Sequence, residues 1–231
     1  MRARIFLISC LNMGALVKGF FERPDYRKAL RVSDDFDFDP DQDLVRDTIG
    51  KDPGVWKRAH ELLRGYKQSH RHAIVMLDEA FDGSPGAARL EGEIGNRMSS
   101  NGWNSRHEVI VLQPELESWI WQDCPEVESA FNYRQTQGTT LRAKLAKESL
   151  WDPETPKPAD PKACAEWTRK TCRAKNLSYV YNTVARTVPI PPSPDPQFVK
   201  LRSTLSGWFP PPPSGVRSPF KRTPKTGRKK P

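Results

Sequence analysis

The chain has 231 residues, with 37 lysines and arginines against 28 aspartates and glutamates, and a formal net charge of +9. A chain of this length can bury a substantial core without disulfide bonds, and its four cysteines show neither C-x-x-C spacing nor the pattern of a disulfide framework. Its longest apolar runs are shorter than the ~18–20 residues of a membrane span. These properties exclude a disulfide-stapled secreted domain and a membrane-spanning protein, and they predict a cytoplasmic protein with no membrane partner.

Strand and helix patterns alternate along the first 150 residues. Residues 4–9 (RIFLIS), 72–77 (HAIVML) and 107–113 (HEVIVLQ) are short, continuous apolar runs, which is typical of strands in a sheet covered on both faces. Helical apolar spacing follows or separates them in residues 13–21, 52–68, 85–103 and 114–123. In the second of these helices, Asp52 is the expected N-cap and Pro53 the first helical residue. The alternation predicts an α/β fold with a compact, mainly parallel sheet flanked by helices.

An acidic segment lies between the first two apolar runs. Residues 33–43 (SDDFDFDPDQD) hold six aspartates, and we expect a solvated loop because like charges repel one another and Pro40 blocks regular structure. The aspartate spacing is similar to that of a calcium loop. The glycine at its sixth position and the acid at its twelfth are both absent, which argues against calcium binding here.

The composition changes after residue 150. A proline-rich linker precedes three helical patterns in residues 162–176, 178–188 and 195–209. Residues 210–231 are rich in proline and basic residues and poor in apolar ones, which is typical of disorder. We therefore predict three parts: an α/β domain over residues 1–150, a helical extension that packs on it over residues 151–209, and a disordered basic tail over residues 210–231.

Carboxylates follow two of the predicted strands at the point where each strand ends. Asp78, Glu79 and Asp82 come after residues 72–77, and Glu115 and Glu117 come after residues 107–113. Ligands of open α/β sheets gather at the carboxyl ends of the strands, so these side chains are expected to converge if the two strands are near neighbours. A hard divalent cation relieves the repulsion in such a cluster, and the inventory suits Mg²⁺.

Structural explanations remain open for each of these acids. Asp82 precedes Gly83 and is also typical of a turn, and carboxylates in a first helical turn, as expected for Glu115 and Glu117, are favoured by the helix dipole alone. His70 and His72 precede a strand at the opposite edge of the sheet, and we expect them on the surface.

The tail supplies most of the excess positive charge. Its basic side chains are expected to contact the phosphates of a nucleic acid through counterion release, and a solubilising role without a dedicated partner is the alternative. The seven candidate residues are Arg217, Lys221, Arg222, Lys225, Arg228, Lys229 and Lys230.

The order strand, LDEAFDGSPG, helix, strand, PELESWIWQD resembles the Toprim-like proteins of bacterial anti-phage systems, relatives of RloB and of the OLD-type nucleases. Pro114, Glu115, Glu117 and Trp119 match the start of the family's helix, and the helical patterns up to residue 208 are similar to its closing segment. The resemblance implies a Toprim-like fold, Mg²⁺ bound by acidic residues and phosphodiester chemistry in phage defence, within a multi-gene system associated with methylation.

The sequence departs from the family pattern in two places. The family's first-strand glutamate falls at residues 9–12 (SCLN), which hold no acid, and its Asp-x-Asp is altered because Ala80 stands two residues after Asp78. Asp78 carries over, with Glu79 or Asp82 as a substitute second acid, and Asp78 and Glu115 are the candidate catalytic pair. Two hypotheses follow: a Mg²⁺-dependent nuclease, or a non-catalytic adaptor of a defence complex that uses the basic tail.

Overall fold

The computed structural model describes residues 1–135, 138–190 and 194–212. Four parallel strands form its sheet in the order β2-β1-β3-β4, with bounds β1 (Arg2–Ile8), β2 (Leu44–Arg46), β3 (His70–Asp78) and β4 (His107–Leu112). The α/β prediction with a parallel sheet is confirmed, and the three longer strands contain the predicted apolar runs. The edge strand β2 escapes sequence patterns because it has only three residues.

Ten α-helices surround the sheet in the described part of the chain. They are α1 (Leu11–Phe21), α2 (Tyr26–Leu30), α3 (Pro40–Asp43), α4 (Lys51–Leu62), α5 (Ala87–Met98), α6 (Pro125–Ala130), α7 (Leu141–Lys147), α8 (Pro161–Thr171), α9 (Leu177–Thr187) and α10 (Pro196–Trp208). Shorter helical turns span Arg64–Tyr66, Ser99–Trp103 and Leu116–Trp119. None of the described helices is long and apolar enough to cross a membrane.

Each face of the sheet has its own core, because successive strand residues point to opposite faces. Ile5, Leu7 and Val75 pack against α4 and α5, whereas Phe6 and Met76 pack with α1 and α9 on the other face. Residues beyond 150, such as Tyr181 and Leu205, share the second core with the strands. The predicted division at residue 150 stays a prediction, but the helices beyond it complete the covering of that face.

Helix α10 runs along the outer side of the edge strand β4. The Lys200 Nζ donates a hydrogen bond to the Val109 carbonyl at 2.7 Å, and the Thr204 hydroxyl donates to Glu108 at 3.2 Å. Phe198, Leu201 and Leu205 are its buried residues, as the apolar spacing predicts. The helix therefore satisfies part of a strand edge that has no further strand beside it in the part of the chain that the structure describes.

The acidic segment is a largely exposed loop up to residue 39, as its composition predicts, but its end is not. Residues 40–43 form α3, and Asp43 is fully buried, where its carboxylate forms ion pairs with Arg2 and with the equally buried Arg4. Phe36 lies in the core beneath the Arg4 guanidinium, 4.1 Å from its ring centroid. The prediction was wrong for this part because two arginines of β1 compensate the buried charge, which a local sequence pattern cannot reveal.

The histidines at the amino edge of the sheet also depart from expectation. His70 is buried, 3.6 Å from the Asp43 carboxylate, and the partly exposed His72 stacks on Trp208 with ring centroids 4.2 Å apart. The prediction of two surface histidines is therefore wrong. Burial lowers the pKa of His72 to about 4, and the positive charges of Arg71 and Arg106 act in the same direction.

Candidate functional site

The carboxyl ends of β1, β3 and β4 lie side by side. The register places Ile8 opposite Met76, and Asp78 opposite Leu112, so the residues that follow these strands emerge at one edge. We call this edge, with Asp52, Asp78, Glu115 and Glu117, the acidic edge.

Asp78 lies at the centre of the acidic edge. Its Oδ1 accepts a hydrogen bond from the Leu116 backbone N–H at 2.9 Å, and its own backbone N–H donates to Asp52 Oδ1 at 2.9 Å. Burial raises the pKa of Asp78 well above its ordinary value, and the charges of Asp52, Glu117 and Glu115 raise it further. A carboxyl group surrounded by others of the same charge is therefore held in a site that favours a proton or a cation.

Asp52 is the member of this edge that sequence reasoning missed. The expected N-cap is wrong: α4 begins at Lys51 with Gly50 as its N-cap, and Asp52 lies inside the first turn. Its side chain therefore reaches the end of β3 instead of capping its own helix. An acid in the first turn of a helix usually indicates only a favourable helix dipole, so the sequence holds no signal that separates the two roles.

Cys10 shows that Asp52 and Asp78 lie close to the end of β1. Burial raises the pKa of the Cys10 thiol, the hydrogen bond from the Met13 N–H lowers it, and the charges of Asp78 and Asp52 raise it. Residues 9–12 themselves hold no acid. Asp52 supplies a carboxylate to this neighbourhood from a different element.

Glu115 and Glu117 are both buried in the turn that follows β4. The Lys162 backbone N–H donates to Glu115 Oε1 at 2.9 Å, and the Tyr181 hydroxyl donates to Glu117 Oε1 at 2.9 Å. Burial and the charge of Glu117 raise the pKa of Glu115. One oxygen of each carboxylate is thus engaged by the helices that cover this face.

The helix predicted over residues 114–123 is only a short 3₁₀ turn, Leu116–Trp119. Its first N–H is taken by Asp78, and Ile120 and Trp121 both become fully buried, with Trp121 stacked on Phe131 at 5.2 Å. Consecutive buried residues do not suit an amphipathic surface helix, so tertiary packing overrides the local pattern.

Glu79 and Asp82 lie apart from this arrangement. Glu79 accepts hydrogen bonds from the Ala87 N–H at 2.9 Å and from the Gln113 side chain at 3.3 Å, so it holds the start of α5 against the end of β4. Asp82 is exposed and has no hydrogen-bond partner among the described residues. The structure therefore brings Asp78, Glu115 and Glu117 together and leaves Asp82 on the surface.

A Mg²⁺ site at the acidic edge requires enough carboxylate oxygens in one place. Within residues 1–135, 138–190 and 194–212, no group of three or more histidine, cysteine, aspartate or glutamate side chains is arranged to hold a metal ion. Mg²⁺ is commonly held by one or two carboxylates, with water and substrate phosphates completing the octahedron. Asp52 and Asp78 fit this smaller requirement, because each uses one carboxylate oxygen in the hydrogen bonds described above and keeps the other.

A large cavity is lined by residues other than these carboxylates. Its volume is about 540 Å³, and it is lined mainly by apolar groups between α1, α9 and α10, including Phe20, Trp119 and Phe198. The half-buried Lys157 also lines it, and burial lowers the pKa of that ammonium group. Because none of the four acidic-edge residues borders it, the cavity is not part of the candidate site.

No protein-family model, no curated protein and no solved structure matches this chain. The seven basic residues predicted in the tail, Arg217 to Lys230, lie outside the described residues.

Proposed function

We propose that this protein is a component of a bacterial anti-phage defence system that binds and cleaves nucleic acid with Mg²⁺ at the acidic edge. The observation that carries the proposal is Asp78 at the carboxyl end of the central strand β3, with the Asp52 carboxylate bonded to its backbone N–H. The resemblance of the two strand–turn motifs to Toprim-like proteins supports the same chemistry, and the basic tail fits a nucleic-acid partner.

The residues of the acidic edge have different roles in this proposal. Asp52 and Asp78 would hold the metal ion, while Glu115 adds negative charge beside them and is available to accept a proton because its pKa is raised. Leu116 and Tyr181 orient Asp78 and Glu117 through the hydrogen bonds that they donate. When bound, Mg²⁺ supplies positive charge against the negative charge that develops on a phosphodiester as its bond breaks.

Calorimetric titration with Mg²⁺ and cleavage of labelled DNA and RNA test the proposal. We expect wild-type protein to bind Mg²⁺ and to cleave one of the substrates, and we expect Asp78→Asn and Asp52→Asn each to weaken Mg²⁺ binding at least tenfold. Asp82→Asn is the matched control, because it removes an exposed carboxylate four residues after Asp78. Wild-type protein without Mg²⁺ binding, or an Asp78→Asn variant that binds Mg²⁺ normally, would contradict it.

A second function is favoured by the hydrogen bonds of the two glutamates. Glu115 and Glu117 are each engaged by a group of the helical extension, which is also what a purely structural acid would show. On this reading the protein is a non-catalytic adaptor of the defence complex, and its tail holds nucleic acid or another subunit. Phage-plating assays separate the two: protection that survives Asp52→Asn/Asp78→Asn but is lost when residues 213–231 are deleted supports the adaptor.

A further inference from the structure

A second charged surface lies at the opposite, amino edge of the sheet. Lys67, Arg71 and Arg106 come from the segment before β3, from β3 itself and from the turn before β4. Arg106 donates to the Lys67 carbonyl at 3.3 Å, and to the carbonyls of His70 and Arg71 at 3.3 and 3.4 Å. The Arg106 hydrogen bonds therefore gather the three basic residues into one group, here called the basic edge.

Arg106 is held in a fixed position. Besides these three carbonyls, it donates to the Gly102 carbonyl at 2.8 Å, and its guanidinium lies over the Trp103 ring, 4.5 Å from the centroid. The Lys67 side chain lies against the same Gly102 loop. Two cations are thereby ordered by the fold, while Arg71 is exposed on the strand beside them.

The charge of this group is not neutralised within the described part of the chain. None of the three residues has an acidic side chain within 4.0 Å among residues 1–135, 138–190 and 194–212, whereas Arg2, Arg4, Arg58 and Lys200 all do. Exposed polar residues flank the group: Gln68, Ser69, Asn104 and Ser105. Such side chains commonly donate hydrogen bonds to phosphate oxygens.

We infer that Lys67, Arg71 and Arg106 form a docking surface for the phosphate backbone of a nucleic acid. It deepens the proposed function, since it names where the nucleic-acid partner is held outside the acidic edge. Arginines, lysines and flanking amides and hydroxyls are the groups that position a phosphate backbone without reading its sequence. A membrane surface calls for apolar side chains beside the cations, and the four flanking residues are polar.

The test is the binding of a fluorescent 20-nucleotide DNA to the full chain, measured by anisotropy in EDTA at several salt concentrations. We expect Lys67→Glu/Arg71→Glu to weaken binding at least tenfold at low salt and to reduce the slope of log K against log salt by about 1.4–1.8, since each of the two phosphate contacts contributes about 0.7–0.9. Arg106 is left intact in this variant because it ties the loops together.

Lys147→Glu/Lys170→Glu is the matched control. These residues are exposed on α7 and α8, have no ion pair among the described residues, and change the net charge by the same amount. Equal loss in both variants, or wild-type binding by Lys67→Glu/Arg71→Glu, overturns the inference, as does binding to phosphatidylserine vesicles without binding to DNA. Because EDTA removes Mg²⁺, failure of the metal site leaves this binding unchanged, so the two proposals fail separately.

Discussion

The buried carboxylates at the two edges of the sheet have opposite surroundings. At the amino edge, Asp43 is fully buried between Arg2 and Arg4; burial acts to raise its pKa, but the hydrogen bond from Arg2 and the nearby positive charge outweigh that and lower it. At the carboxyl edge, Asp78 is surrounded by other acids and its pKa is raised. Loss of one partner from a compensated buried pair should therefore destabilise the fold, whereas loss of one acid from a like-charge cluster should relieve repulsion.

The largest effect is expected from breaking the compensated edge. Asp43→Asn removes the buried carboxylate that faces Arg2 and Arg4, and leaves the fully buried Arg4 guanidinium with the exposed Asp37 as its only acidic partner among the described residues. We expect a loss of about 3–5 kcal/mol in the free energy of unfolding, measured by urea denaturation. Asp41→Asn, on the exposed side of the same short helix, serves as the control, and a loss below about 1 kcal/mol for Asp43→Asn would contradict the contrast between the edges.

A smaller loss is expected at the acidic edge when a hydrogen bond to a buried acid is removed. Tyr181→Phe deletes the hydroxyl that donates to Glu117 and leaves that carboxylate buried. Hydrogen bonds to charged groups contribute about 1.5–3 kcal/mol, so the free energy of unfolding should fall by that amount. Tyr179→Phe, on the exposed side of α9, should change it little; equal effects in the two variants would show that Glu117 does not depend on this hydroxyl.

The opposite sign is expected for Asp78. In EDTA at neutral pH, Asp78→Asn removes one charge from the cluster and keeps an oxygen for the Leu116 N–H, so it should raise the melting temperature by about 2–4 °C, corresponding to roughly 1 kcal/mol. Saturating Mg²⁺ should reverse the order, since only the wild-type carboxylate gains from the cation. Thermal melts with and without Mg²⁺ measure both; a destabilised variant in EDTA would show that Asp78 is structural.

The smallest effect at neutral pH is expected at the amino edge, where His72 affects stability only as the pH falls. The pKa of His72 is about 4 in the folded chain, below its unfolded value, so the stability that depends on neutral His72 is complete above about pH 6.5 and is lost as the pH falls towards 4. His72→Phe keeps an aromatic ring against Trp208 and should flatten the melting temperature between pH 6.5 and 4. An unchanged acid slope in this variant would assign the loss to other groups.

The contrast between the edges was only partly predictable from the sequence. Continuous apolar runs identified β1, β3 and β4, because a strand buried on both faces has a continuous apolar sequence. The ends of these strands then indicated where acids converge. Asp52 and Asp43 were misread because their partners, the Asp78 backbone and the β1 arginines, lie 26 and about 40 residues away. The helical spacing after β4 predicted a helix that does not form, because the packing of Trp121 determines the conformation of that segment.

Helix α10 has a consequence for any shortened form of the protein. It covers the outer side of β4, where Lys200 bonds to the Val109 carbonyl and Thr204 to the Glu108 side chain, and an uncovered strand could recruit the same strand of a second copy. A chain truncated before Pro196 would therefore lose α10 and expose the edge of β4 to intermolecular β-sheet growth. A chain that ends after Pro212 keeps α10 on β4, and it should stay monodisperse at concentrations at which the shorter form aggregates.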